Sequence, residues 1–79
     1  MAAPLRLKFS IAFAKDSILI AFEHPLHGLV RAAVEHANGQ LTHAAVILGG
    51  ENAPLQALGA RYADAVLDMA QWALARDAA

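Results

Sequence analysis

A glutamate and two histidines lie close together in residues 23–27 (Glu-His-Pro-Leu-His). Proline suits the first position of a helix, so His24 would cap a helix and His27 would lie in its first turn. Their side chains could then approach each other, and two imidazoles with a carboxylate could bind zinc or a similar metal. In the predicted fold, His36 and His43 lie too far away to complete a ligand set. The competing interpretation, polar residues at a helix start with no metal and no cofactor, is the one we expect.

A second candidate site is the glycine pair before the last predicted helix. Gly49 and Gly50 lead toward Asn52, which is predicted to cap that helix, and free N–H groups at a helix N-terminus favour anions. In the predicted topology this turn lies at the same end of the sheet as His24 and His27. The segment has neither a dinucleotide-binding glycine pattern nor a P-loop lysine. It predicts either a weak small-molecule or anion site or simply a tight turn that needs two glycines.

The sequence assembles no recognisable catalytic group. It contains no cysteine, which excludes thiol catalysis, disulfides and cysteine-based zinc sites. Ser10 and Ser17 have no recognisable base beside them, and a solvated helix face accounts for Asp64 and Asp68. We therefore predict a protein that is not an enzyme.

Length and charge restrict the class of protein further. The chain has 79 residues, 58% of them hydrophobic, which predicts a single small domain over residues 1–79. Six basic and seven acidic side chains give a net charge of −1, so neither nucleic acid nor an anionic membrane is an expected partner. No apolar run approaches the ~18 residues of a membrane helix, and no signal peptide is recognisable at the start. The expected location is the cytoplasm.

Strict alternation of apolar residues predicts a hairpin at the start of the chain. Residues 5–13 are apolar at every odd position, residues 14–17 form the turn, and residues 18–23 return. In the returning strand, Ile18, Ile20 and Phe22 share one face.

Helical spacing in the next segment predicts a helix over residues 25–37, ended by Asn38 and Gly39. Its apolar stripe consists of Leu26, Leu29, Val30, Ala33 and Ala37. Residues 41–48 are predicted to form a strand buried on both faces, and a short helix capped by Thr42 is the alternative.

The resulting order is ββαβα. It predicts an α+β protein, a two-layer sandwich in which a three-stranded mixed sheet carries two helices on one face. The last helix, over residues 52–77, has an apolar arc about twice the ~100° that a surface helix needs. Either a partner covers its outer side, or small alanines tolerate water there. The predicted interface comprises Ala63, Leu67, Ala70, Trp72 and Leu74.

These features predict a small non-enzymatic protein–protein interaction or regulatory module. Its last helix would dock on a second copy in a two-fold homodimer, or on another protein. The alternative is a domain that binds a small molecule, an anion or a metal at the end of the sheet that carries His24, His27, Gly49 and Gly50.

Overall fold

The computed structural model describes residues 8–78. A meander of antiparallel strands comes first: β1 (Phe9–Phe13), β2 (Ser17–His24), β3 (Gly28–Ala37), β4 (Gln40–Leu48) and β5 (Glu51–Pro54). A short 3-10 helix (Leu55–Leu58) then leads into the helix α1 (Ala60–Ala78). The order of the strands in the sheet equals their order in the chain.

The predicted fold, a three-stranded mixed sheet with two helices, is wrong. The structure has a five-stranded antiparallel sheet and a single α-helix in the described residues. Most of the segment predicted as the first helix forms β3, and the beginning of the predicted last helix forms part of β5 and the 3-10 helix.

The first predicted hairpin is confirmed from Phe9 onward. β1 and β2 are antiparallel, with Phe9 opposite Phe22 and Phe13 opposite Ile18. Ile18, Ile20 and Phe22 are buried together on one face, as the alternation predicts. Residues 5–7 of the predicted first strand lie outside the described residues.

β3 is a strand because its buried residues recur at every second position. Val30, Ala32 and Val34 lie opposite Phe22, Ile20 and Ile18 of β2, and all six are buried. The helical stripe in the same segment relied on alanines and leucines, which are strong helix formers. Valine, with its branched Cβ, favours strands, and a pleated sheet buries alternate side chains on one face.

The β3–β4 and β4–β5 turns are tight hairpin turns, which explains why β4 and β5 extend the sheet where a helix was predicted to end or to begin. Asn38 and Gly39 have φ angles of 54° and 77°, and Gly49 and Gly50 have φ angles of 58° and 83°. Two adjacent residues with positive φ are the requirement of the type I′ turn, whose twist matches that of the flanking strands. Asn38 and Gly39 therefore connect two strands and do not end a helix.

Residues 41–48 belong to β4, so the alternative of a short helix is excluded. The expectation that this strand is buried on both faces is wrong, however. Val46 is buried, whereas the neighbouring Ile47 is 47% exposed on the opposite face of the sheet. In the part of the chain that the structure describes, only one face of β4 is covered.

α1 provides that cover. It begins after Gly59, whose carbonyl accepts a hydrogen bond of 2.9 Å from the Ala63 N–H. One stripe of the helix is buried in the shared core, where small side chains allow the helix to lie close to the sheet. The stripe consists of Ala63, Val66, Ala70 and Ala73. The molecule measures 34 × 34 × 18 Å, the thickness of one sheet and one helix layer.

Within residues 8–78, no helix combines the length and the apolar character that crossing a membrane requires.

Candidate functional site

His24 is the buried polar residue at the end of β2. Its Nδ1 accepts a hydrogen bond of 3.1 Å from the Leu26 N–H, and its Nε2 lies 2.8 Å from the carbonyl oxygen of Leu58. A backbone N–H can only donate and a carbonyl can only accept, so the ring must carry its proton on Nε2. His24 therefore ties the β2–β3 turn to the end of the 3-10 helix with both ring nitrogens.

Three further aromatic rings extend this histidine into a cluster where α1 meets β2. The His24 ring centroid lies 4.8 Å from that of His27 and 4.4 Å from that of Tyr62. Tyr62 in turn stacks on Phe22, with a centroid distance of 6.0 Å and an angle of 4° between the rings. His27 is exposed, whereas its three neighbours are buried or half-buried. Contacts of this kind fix the start of α1 on the sheet.

The structure brings only part of the predicted ligand site together. His24 and His27 are in contact, and the turn of Gly49 and Gly50 lies at the same end of the sheet, because β2 and β4 run in the same direction. Asn52, however, lies in β5 and caps no helix, since α1 starts at Ala60. The helix N-terminus that would have attracted an anion is therefore not at this turn. Among residues 8–78, no three side chains of His, Cys, Asp or Glu are grouped to hold a metal ion.

Replacing His24 with leucine should lower the free energy of unfolding by about 1–3 kcal/mol, because the buried Leu58 carbonyl then has no donor. Urea unfolding measures this loss. His27→Leu, at the exposed neighbour, is the matched control and should change stability by less than about 1 kcal/mol. ¹⁵N NMR of the wild-type ring should show the Nε2–H tautomer. A proton on Nδ1 would contradict the assigned hydrogen bonds.

The predicted helix interface is largely used within the subunit. Ala63 and Ala70 are buried under the sheet, and Leu67 and Leu74 are half-buried and pack against the same core. Trp72 alone of the five is exposed, at 57%, and the Arg76 guanidinium carbon lies 4.9 Å from its ring centroid. A cation over the ring face stabilises this arrangement. Of the predicted interface, only the Trp72 side chain thus remains largely exposed and outside the core of the described residues.

The sheet surface on the side away from α1, which we term the open face, has no covering layer among residues 8–78. Leu19 is 43% exposed there, in β2, and Ile47 lies two strands away. Side chains of register partners lie on the same face of a sheet. The register partners of Leu19 therefore form a row across all five strands on the open face, and every residue of this row is uncharged. This central row consists of Ala12, Leu19, Ala33, Ala45 and Pro54.

Charged residues lie on either side of the central row. Arg31 and Glu35 are two positions before and after Ala33 on β3, and both are exposed on the open face. Between Leu19 and Ile47, the small side chains of the alanines leave a groove of about 400 Å³ on the open face. Arg31 also lines this groove. An exposed face of an antiparallel sheet is normally polar. The open face departs from that pattern, and sequence reasoning missed it because β3 was assigned to a helix.

Comparison of the chain with protein-family models, with curated proteins and with solved structures found no match. Function must therefore be inferred from the surfaces of the molecule itself, because an architecture of sheet and helix serves many unrelated functions.

Proposed function

We propose that the protein is a small non-enzymatic interaction module that forms a two-fold homodimer through the open face of its sheet. The observation that carries the proposal is the central row, which is uncharged across all five strands. Soluble proteins rarely leave contiguous apolar surface uncovered, and sheets bury such faces by packing on a second sheet. A second copy offers the same surface, and two-fold contacts are self-complementary.

The positions of the charges favour one particular two-fold arrangement. We consider a two-fold axis that lies in the plane of the interface and follows the central row, perpendicular to the strands. Rotation about this axis places the second copy face to face with the first and reverses the direction of its strands. Positions on one side of the row then face positions on the other side. Arg31 would lie opposite Glu35 of the partner subunit, and Glu35 opposite Arg31 of the partner subunit. Opposite charges at matching positions provide the electrostatic complementarity that specific interfaces show.

The size of the open face is compatible with a stable contact. Five strands at about 4.8 Å spacing give a width of roughly 24 Å. The three central strands, of 8–10 residues, are about 26–33 Å long, and the two edge strands, of five and four residues, are about half that length. This footprint is of the order of the ~800 Å² that each partner buries in an ordinary interface. Alanines in the central row allow the two sheets to approach closely.

Two alternatives are weaker. A ligand at the histidine end would have to compete for His24, whose ring nitrogens both bind the backbone. Docking of α1 through its predicted interface would have to use residues that already pack in the core, except for Trp72. We propose the cytoplasm as the location, with which the lack of cysteine is compatible.

Sedimentation equilibrium over a range of concentrations tests the dimer. Wild-type protein should approach twice its mass of 8.3 kDa, and Leu19→Asp should weaken the dimer by about 30-fold or more, the effect of losing a hot-spot residue. Leu26→Asp is the matched control, because Leu26 is 84% exposed on the β2–β3 turn, beyond the central row. It should leave the mass unchanged.

Circular dichroism should show that both variants keep the secondary structure of the wild type. A wild-type chain that stays monomeric at millimolar concentration would contradict the homodimer. So would equal dissociation of the Leu19 and Leu26 variants.

A further inference from the structure

The two edges of the sheet differ in how well they are protected. β5 has four residues, begins with Glu51 and ends with Pro54, and a proline or a charge on an edge strand prevents further pairing. β1 (Phe-Ser-Ile-Ala-Phe) contains neither proline nor charge, and within residues 8–78 it pairs with β2 alone. Among the described residues, nothing pairs with the other edge of β1, which therefore presents backbone groups that another strand can pair with.

An apolar groove runs beside this edge. Phe9 and Phe13 lie on the α1 side of the sheet, and Phe13 is 51% exposed. Between β1 and the last turns of α1, a groove of about 280 Å³ is lined by Ile11, Phe13, Trp72, Ala73 and Arg76. Its volume suits one large side chain, and its walls include a tryptophan and an arginine, residue types enriched at binding hot spots.

Positive charges surround the edge. Lys8 precedes β1, Lys15 follows it, and Arg76 lies at the groove, all three exposed. Two acidic side chains lie near the edge as well. Asp16 is in the turn after β1, where its backbone carbonyl accepts a hydrogen bond from the His36 N–H, and Glu23 follows Phe22, the register partner of Phe9, on β2. The surroundings of the edge are positive on balance, which favours an acidic partner.

We propose that the free edge of β1 binds an extended acidic peptide segment of another protein as a sixth strand. Backbone hydrogen bonds to β1 supply affinity, and alternate side chains of the peptide supply specificity. An apolar side chain of the peptide enters the groove beside Trp72, and carboxylates at the two ends of the segment meet Lys8 and Lys15. Arg76 is placed to pair with a further carboxylate at the groove.

A second copy of this chain fits the edge less well. Antiparallel pairing of two β1 strands about Ile11 would set Lys8 opposite Ala14 of the partner subunit, one position from Lys15 of the partner subunit, at each end of the joint. Two positive charges that approach at each end of the joint repel each other. The charges around β1 thus oppose self-pairing and favour a strand that carries acidic residues.

The sole tryptophan of the chain, Trp72, makes the test direct. The 79-residue chain carrying Leu19→Asp, kept dilute, is titrated with a seven-residue peptide of alternating valine and threonine with a glutamate at each end. A matched peptide carries lysines at both ends. We expect the acidic peptide to shift Trp72 emission to shorter wavelength, to slow amide exchange in Phe9–Phe13, and to bind at least 10-fold more tightly than the lysine peptide.

Charge reversal then tests the basis of that preference. The double variant Lys15→Glu/Arg76→Glu, whose two positions are exposed, should lose at least 10-fold in affinity for the acidic peptide and gain affinity for the lysine peptide. Equal binding of both peptides, or no response to either at millimolar concentration, would overturn the proposal. Binding by the Leu19→Asp variant would support the edge site even if the open-face dimer fails, so the two proposals fail separately.

Discussion

Replacing Phe22 with alanine is expected to lower the free energy of unfolding by about 3–5 kcal/mol, the usual cost of truncating a buried phenylalanine. Phe22 is fully buried on β2, opposite Val30 of β3, and stacks on Tyr62 of α1. The truncation therefore leaves a cavity between sheet and helix. A domain of 79 residues has a total stability of about 4–12 kcal/mol, so the variant should be partly unfolded at 25 °C.

Urea unfolding at a fixed protein concentration measures this loss, because dimerisation would add to the apparent stability. Phe13→Ala is the matched control, as the same truncation at a half-exposed position of the edge strand should cost less than about 1 kcal/mol. Similar losses for both variants would show that α1 does not pack on the sheet through Phe22.

Reversing one charge of the proposed interface should have the largest effect on the dimer. Arg31→Glu would place a glutamate opposite Glu35 of the partner subunit, and the two-fold axis would create this contact twice. Two attractive contacts between residue 31 and Glu35 of the partner subunit become repulsive. We therefore expect the dissociation constant of the dimer to rise about 100-fold, a loss of about 2.7 kcal/mol in the free energy of dimerisation. Glu35→Arg should weaken the dimer similarly, by placing two arginines opposite each other.

The double variant Arg31→Glu/Glu35→Arg provides the control. It restores opposite charges across the axis, so its dissociation constant should return to within a few-fold of the wild-type value, measured by sedimentation at low salt. Failure of the double variant to recover, with all variants folded, would rule out the axis along the central row. Purely additive effects of the two single changes would do the same.

The alternation of apolar and polar residues was the sequence pattern that predicted strands correctly. It predicted the first hairpin, because large apolar residues occupy every second position of β1 and β2 and few alanines dilute the pattern. β3 was misassigned because its alanines satisfy both a period of two and a helical period, and the leucines before them extended the helical stripe. The turn signals were present, since Asn38-Gly39 is a strong hairpin dipeptide, but they were interpreted as a helix stop.

The candidate surfaces depended on that assignment. The contact between His24 and His27 was predicted from an expected helix turn, and it arises instead from the tight β2–β3 connection. The bonds of His24 to Leu26 and Leu58 could not be foreseen, because Leu58 is distant in sequence. The open face exists because β3 is a strand, which places Arg31 and Glu35 on the same side of the sheet.

The meander has a consequence for how the protein folds. Every strand pairs with the one just before it, across short connections, so each step of sheet growth closes only a small loop. Antiparallel sheets of this low contact order fold faster than sheets with distant pairings. α1, however, is synthesised after all five strands, so the apolar side of the nascent sheet stays open to water until the helix emerges. Because exposed apolar surface and unpaired strand edges promote aggregation, we expect the chain to be more prone to aggregation in that interval than after α1 has packed on the sheet.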